Sequence, residues 1–259
     1  MIKFLISFIL LLCAPLTSAV FAAVAFDATF QKGAIQDSPF SFVSSAGDVT
    51  GSVGVNSNRV LIASLATDNA TTNPISSVAV TWNNVPMNQI GAIVTAPSTS
   101  IDVYLFGLIN PDTGANTLQV TWTGGQASVS LGAVSLYNVD QTTAWQNNAS
   151  ATGTSTKATK TVTTSVNNGA VVMGANNNGN CPTQTASEGT TAFIECNING
   201  NYFMGYTVPS VGSTAVISWD TSNVAWATIG VDIIQVSTTV PGGLTVQGGL
   251  TVQGGLTVK

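Results

Sequence analysis

The acidic side chains that lie close together in this 259-residue chain are Glu188 and Glu195, seven positions apart. Two carboxylates are the minimum set for glycoside hydrolysis, one as acid and one as base or nucleophile. A hydrolase of that kind needs both on strands lining a concave face. Glu195 falls in a strand-like stretch, but Glu188 sits in the turn-like SEGT. The chain has no histidine, which removes Ser-His-Asp and Cys-His catalysis and the common zinc sites. It has no phosphate-cradling glycine loop and no dinucleotide fingerprint. The expectation is therefore no catalytic residue and no enzyme, with a glycosidase using Glu195 as the rival.

Three sets of oxygen ligands remain: Asp68 and Asn69 with Asn73, Asp112 with Asn116, and Asp220 with Asn223. Calcium prefers such ligands. None has EF-hand spacing, and Asp and Asn are ordinary turn residues. The expectation is no cofactor and no metal site, with a structural calcium as the alternative. Asn69-Ala-Thr and Asn148-Ala-Ser fit the N-glycosylation acceptor pattern.

Cys181 and Cys196 flank the two glutamates. Their chemistry depends on compartment. The chain opens MIKFLISFILLLCAPLTSAVFAAVAF: a positive residue, an apolar run, then small residues, the order of a secretory signal peptide. Residues 1–23 are read as that signal, with cleavage between Ala22 and Ala25. The rival is an uncleaved anchor, but Pro15 interrupts a run already short of the ~20 residues a span needs. A lipidated Cys13 lacks the small residue usually found before such a cysteine. Without the signal, Cys181 and Cys196 are a lone pair in an oxidising compartment, which reads as a disulfide. Closing that loop stabilises by roughly 3 kcal/mol in the chain-entropy treatment; two free thiols are the alternative.

Charged residues make up 7% of the chain, against roughly 25% in ordinary domains. Losing Lys3 with the signal leaves five basic residues against eleven acidic, a net of −6. There is no basic cluster, so nucleic acid is not an expected partner, and no second segment is apolar enough to span a membrane. The expected product is secreted, extracellular or held at the cell surface.

The elements that position these residues are strands. Apolar alternation marks 24–29, 59–67, 77–82, 101–109, 116–122, 127–137, 160–166, 169–175, 202–208, 214–219 and 225–236. Short stretches rich in Gly, Asn and Asp (NPDTGAN, TGGQ, DTSN) are read as the turns between them. SVAVTW, TLQVTW and TAVISW each end in a tryptophan: Trp82, Trp122 and Trp219. Each shares a face with two apolar residues, so each is expected to plug a core between sheets rather than to serve as a sugar platform. Residues 144–156 are polar and read as a surface loop. Trp145 within it is the one weak candidate for an exposed ligand-binding aromatic, although anchoring of the loop is the commoner role. The expected fold is all-β over residues 24–240: a two-sheet antiparallel sandwich in jelly-roll form.

The order of NSNRVLIASL, VAVTWNNVPM, VYLFGLINPDTGANTLQVTW, SLYNVDQTT and WATIGVDII resembles the β-sandwich modules of bacterial secreted and surface proteins, in the style of the concanavalin A-like or LamG-like jelly rolls. The resemblance implies an extracellular, non-enzymatic module for adhesion or glycan binding. It carries no ligand residue onto this chain.

Residues 241–259 form a tail in which Gly-Gly-Leu-Thr-Val-Gln recurs, similar to repeats in bacterial surface proteins and phage fibres. The period is even, so an extended tail puts Leu244, Val246, Leu250, Val252, Leu256 and Val258 on one face. Extended, it reaches roughly 59 Å. Stacked β-arcs of hexapeptide units are the other local conformation. That apolar stripe needs a partner. Three fates stay open: self-association into a stalk, strand addition to a neighbouring subunit, or a linker stub. A structural subunit of an extracellular fibre or sheath is therefore the alternative to a glycan-binding module.

Overall fold

The computed structural model describes residues 19–21, 23–32, 43–69, 75–165, 168–177, 186–187, 190–194, 202–208 and 214–239. The strands are β1 (Ala19–Phe21), β2 (Ala25–Lys32), β3 (Val43–Val53), β4 (Val60–Asn69), β5 (Ile75–Trp82), β6 (Val85–Pro86), β7 (Asn88–Gln89), β8 (Val94–Thr95), β9 (Ile101–Ile109), β10 (Gly114–Tyr137), β11 (Trp145–Thr163), β12 (Asn168–Asn177), β13 (Ala186–Ser187), β14 (Thr191–Ile194), β15 (Tyr202–Thr207), β16 (Thr214–Ile234) and β17 (Ser237–Thr239). No helix occurs among the described residues, and every pairing is antiparallel. Residues Ala23–Val236 form one compact unit; a second unit takes in residues 1–22 and 237–259, where β1 pairs with β17.

Within the larger unit the chain completes one sheet before it begins the other. Strands β2 to β10 make the first, and β11 to β16 the second. This is an all-β sandwich, as expected, but the strand order corrects the jelly-roll expectation. A jelly roll interleaves its strands between sheets, whereas here each sheet is a continuous stretch of chain. The reason lies in β10 and β16, at 24 and 21 residues. The stretches TGGQ and DTSN, expected to be hairpin turns, lie inside these strands. At TGGQ, β10 changes partners: Leu118 to Gly124 pair with β5, and Ala127 to Leu136 with β4. Ladder shifts mark both places. A bulge bends and twists a strand without ending it.

Each sheet consequently folds over itself. Leu118, Val120 and Trp122 from the first part of β10 share a core with Val129, Leu131 and Ala133 from its second part, together with Leu61, Leu65, Tyr104 and Phe106. In the second sheet Ala215, Ile217 and Trp219 cover Val171, Met173, Ala175 and Phe203. Ile217 lies so close over Gly230 of the same strand that a Cβ there would collide with it. A third core joins the two sheets, with Ile62, Val103, Leu105 and Val134 facing Val172, Met204, Ile229 and Val231. The tryptophans are buried as expected, Trp82 and Trp219 fully and Trp122 nearly so. Their cores lie within a folded sheet rather than between sheets.

Of the stretch read as a loop, 144–156, all but Ala144 is instead the first part of β11, paired with β16 from Trp145↔Ile233 to Thr163↔Thr214. Its alternation is of size rather than hydrophobicity. Ala149, Ala151, Gly153 and Ser155 are half-buried, and Ser150, Thr152, Thr154 and Thr156 are exposed. The small inward residues leave room for Trp226, whose ring lies against Gly153 and whose Nε1 donates to Ser155 Oγ at 2.9 Å.

The registers show that the two sheets repeat one plan. Ala133 of β10 pairs with Ala63 of β4, which pairs with Phe106 of β9. Gly230 of β16 pairs with Met173 of β12, which pairs with Gly205 of β15. With these matched, Leu136↔Phe26 corresponds to Ile233↔Trp145, and Leu118↔Val49 to Ala215↔Val162. The single strand β11 thus occupies the flank that β2 and β3 share in the first sheet.

Candidate functional site

The outer face of the first sheet's folded lobe carries a shallow depression. Two pieces of backbone build it. The first is the turn after β5. Asn83 and Asn84 have φ of 49° and 65°, and Trp82 pairs with Val85 across them. A two-residue hairpin with both central φ values positive favours asparagine. The second is the loop from Asn110 to Gly114. Trp82 Nε1 donates to Asp112 O at 3.0 Å, and Asn83 Nδ2 donates to the Asp112 carboxylate at 2.9 Å. The Arg59 guanidinium donates to Asn110 Oδ1 at 3.1 Å and to Pro111 O at 3.4 Å. Turn and loop are thereby locked together, with the Trp82 ring as the buried post beneath.

Thr81, Asn83, Asn84, Thr117 and Gln119 line the depression, which encloses about 230 Å³. Gln119 lies directly across from Thr81 in the ladder, close enough for the two side chains to act on one group. Pockets for drug-sized ligands run to roughly 300–1,000 Å³, so this one suits a single sugar-sized ring. Its lining offers amide and hydroxyl groups, each both donor and acceptor, and no charged group. Such a set hydrogen-bonds a neutral polyol. The lining holds two threonine hydroxyls and three side-chain amides.

The residues singled out from sequence fall elsewhere. Trp145 opens β11 half-buried, with its ring against Gly107. Cys181, Cys196, Glu188, Glu195 and the tail residues Leu244, Val246, Leu250, Val252, Leu256 and Val258 lie outside the described residues, as does Asn73. Asp68 accepts from Ser100 Oγ at 3.0 Å, Asp112 from Asn83, and Asp220 faces Lys157 at 3.9 Å. These aspartates fasten local structure. Among the described residues no three acidic or cysteine side chains come together, and no helix is long and apolar enough to cross a membrane.

A different carboxylate is set apart by burial. Asp232 on β16 has no exposed surface. Its Oδ2 accepts from Ser165 N at 2.8 Å. Burial pushes its pKa up, and hydrogen bonds from Ser165, Gln146 and Asn147 draw it part of the way back. In the first sheet the corresponding position is Ser135, and the acid is Asp27 on the facing edge strand. Asp27 accepts from Gly54 N and from Ser135 Oγ. Each sheet thus uses one carboxylate to tie its edge ladder to the chain just past the folded lobe, carried on opposite strands.

The polar depression escaped the sequence reading because its residues look like turn and exposed-strand residues. The available signal was Asn-Asn after Trp82, a hairpin dipeptide flanked by alternating apolar residues. The described residues form an all-β sandwich with a small uncharged depression on its first sheet. No family model matches the chain, and no curated protein matches it.

Proposed function

We propose that this chain is a secreted or cell-surface, non-enzymatic β-sandwich module for adhesion or glycan binding. The depression lined by Thr81, Asn83, Asn84, Thr117 and Gln119 carries the reading, because it presents uncharged hydrogen-bonding groups on a rigid base at the size of one sugar ring. The signal-like leader and the low charge support it. So does the resemblance to concanavalin A-like and LamG-like secreted modules, as a likeness of setting rather than of strand order. The test is binding of the mature protein to an array of neutral glycans, repeated with Gln119→Ala. A hydrogen bond to a neutral group contributes about 0.5–1.5 kcal/mol, so loss of the Gln119 amide is expected to weaken binding roughly 3- to 10-fold. No retained glycan would overturn the reading; undiminished binding by the variant would move the site elsewhere.

The second reading is a structural subunit of an extracellular fibre or sheath that assembles through its tail. The observations favouring it are that β11 carries no charge from Trp145 to Thr156 and that the apolar residues of the tail sequence recur with even spacing. Light scattering on the mature protein with and without residues 242–259 tests it. Assembly that depends on the tail is the expected result, and a monomer in both forms overturns it.

A further inference from the structure

We infer that the depression is one end of a track along β5 and β10 for an extended, uncharged polysaccharide chain with β-1,4 (equatorial) linkages; the inference rests on the glycan-binding reading above and names its ligand class. Beyond the depression the outward row of the ladder runs on. Thr81 pairs with Gln119, Ala79 with Thr121 and Ser76 with Thr123. The alternate residues Val80, Trp82, Leu118, Val120 and Trp122 are buried in the lobe core, so the paired side chains between them share the opposite face. Thr81 is half-buried, and Ser76, Ala79, Gln119, Thr121 and Thr123 are exposed. The ladder shifts between Thr121 and Thr123. Ser77, with φ of 50°, takes up the extra residue, while Ile75 and Val78 still pack inward. The row therefore keeps its face across the bulge. From Thr117 to Thr123 it is roughly 20 Å long, which is room for several sugar rings end to end where the depression holds one.

Each step of the track suits such a chain. Next to the depression comes Ala79, the smallest side chain of the row. Its methyl makes a low floor beside the Thr121 hydroxyl. An equatorially linked sugar has C–H faces and hydroxyls around its rim, so the methyl meets a face and the hydroxyl meets the rim. At the far end Ser76 Oγ and Thr123 Oγ1 lie 3.1 Å apart, and each donates to the other residue's main-chain carbonyl at 3.3 Å. Their remaining lone pairs accept from a sugar hydroxyl. Both hydroxyls are fixed before the ligand arrives, which lowers the cost of ordering them on binding. Equatorial linkage keeps a chain extended along the strands, whereas axial linkage coils it away. The row carries no charge, and the residue that β3 sets opposite Gln119 is Asp48. The track therefore favours a neutral chain over a uronate, which would bring like charge to it.

Titration calorimetry of the mature protein with cello- and chito-oligosaccharides, from monosaccharide to pentamer, tests the track. In at least one series, affinity is expected to tighten roughly 3- to 10-fold with each added unit, up to the trimer that covers the three steps, and then to level off. Ala79→Arg fills the middle step. The site is exposed, so the fold is expected to hold, as urea unfolding would confirm, and the gain with length should vanish. Thr121→Val keeps the size and removes one hydroxyl, and should reduce the gain at the second unit. Equal affinity at all lengths, or a gain that survives Ala79→Arg, overturns the track and leaves the single-ring site standing. Retention of axially linked glycans alone on the array overturns the ligand class. If no neutral glycan is retained at all, the glycan-binding reading and this inference fall together.

Discussion

The two sheets carry the same plan with different fillings. In the first, Trp82 is fully buried and its indole N–H reaches Asp112 O at 3.0 Å. In the second, Trp219 is fully buried and stacks on Phe203 with centroids 5.1 Å apart, while its N–H finds no partner among the described residues. The first sheet pins its folded lobe with directional bonds to a loop that also shapes a surface depression. The second adds to packing Ser218 N donating to Thr190 Oγ1 at 2.9 Å, Asn177 Nδ2 donating to Thr221 Oγ1 at 2.6 Å and Trp226 Nε1 donating to Ser155 Oγ at 2.9 Å. The register counterpart of Trp219 is Trp122, whose N–H also has no partner among the described residues, so the tether at Trp82 is an addition of the first sheet. The plan is shared because bending a long strand over itself buries apolar area without a second layer of chain. The difference is in what each outer lobe is free to do.

Truncating either tryptophan gives the largest expected effect. Trp82→Ala and Trp219→Ala each empty a packed core, which costs about 3–5 kcal/mol, read by urea unfolding. Phenylalanine separates the two. Trp82→Phe leaves the Asp112 carbonyl without its donor, while the bonds from Arg59 and Asn83 to the loop remain. Trp219→Phe removes a buried donor that has no partner, and an unmet donor is itself costly. Trp82→Phe is expected to be more destabilising than Trp219→Phe by about 1–2 kcal/mol. Equal losses would mean that the tether contributes nothing.

Gly230→Ala breaks the comparison at the fold. The corresponding residue in the first sheet, Ala133, already carries a Cβ in its core. At Gly230 the space is taken by Ile217 Cδ1. Overpacking of this kind costs about 1–3 kcal/mol. Ile217→Val removes that methyl and is expected to recover most of the loss in the double variant, so the two changes should be strongly non-additive. Simple additivity would show that the lobe of the second sheet does not lie over Gly230.

Much of the architecture was legible in the residues, and the failures have physical causes. Ile101–Ile109 was bounded correctly because a strand flanked by strands on both sides is almost wholly apolar, here apart from Asp102, and six of its nine residues are buried. The tryptophans were placed in cores because each shares a two-residue period with aliphatic neighbours. TGGQ and DTSN misled because glycine, aspartate and asparagine serve bulges as readily as turns. Residues 144–156 misled because the inward face of β11 is defined by smallness, which hydrophobic periodicity does not register. The repeat itself is nearly silent in sequence. Aligned on their registers, β10 and β16 from Thr117 and Thr214 onward share only that threonine, Trp122 with Trp219, and Val134 with Val231. The depression was missed because no residue in it is unusual; its meaning lies in the locking of one turn to one loop.

Asp232 sharpens the comparison of the two carboxylate ties. Its pKa is raised by burial, so the folded state binds its proton more tightly than the unfolded chain does. Ionised Asp232 therefore costs stability above its folded pKa. That cost disappears as pH falls through the folded value toward the unfolded one, near 4. Asp232→Asn keeps an acceptor for Ser165 N and removes the titration. The variant is expected to lose the part of the stability gain on acidification that Asp232 supplies, and to match or exceed the parent near neutrality. A variant whose pH profile overlays the parent's would show that this tie is held by its hydrogen bonds and not by its burial.

The smallest expected effect is at the Asn83–Asn84 hairpin of the first sheet. Asn84 has φ of 65° and is exposed. Glycine adopts that conformation freely, and asparagine adopts it better than other residues with a Cβ. Asn84→Gly should therefore change stability by no more than about 0.5 kcal/mol, while Asn84→Ala should cost about 1 kcal/mol for forcing an ordinary side chain into the left-handed region. Binding reads the pair differently. Both variants remove the same amide from the depression, so both should weaken glycan retention to a similar degree despite their unequal stabilities. If retention instead follows stability, the amide is not a contact, and the hairpin serves the site only by holding Asn83 against Asp112.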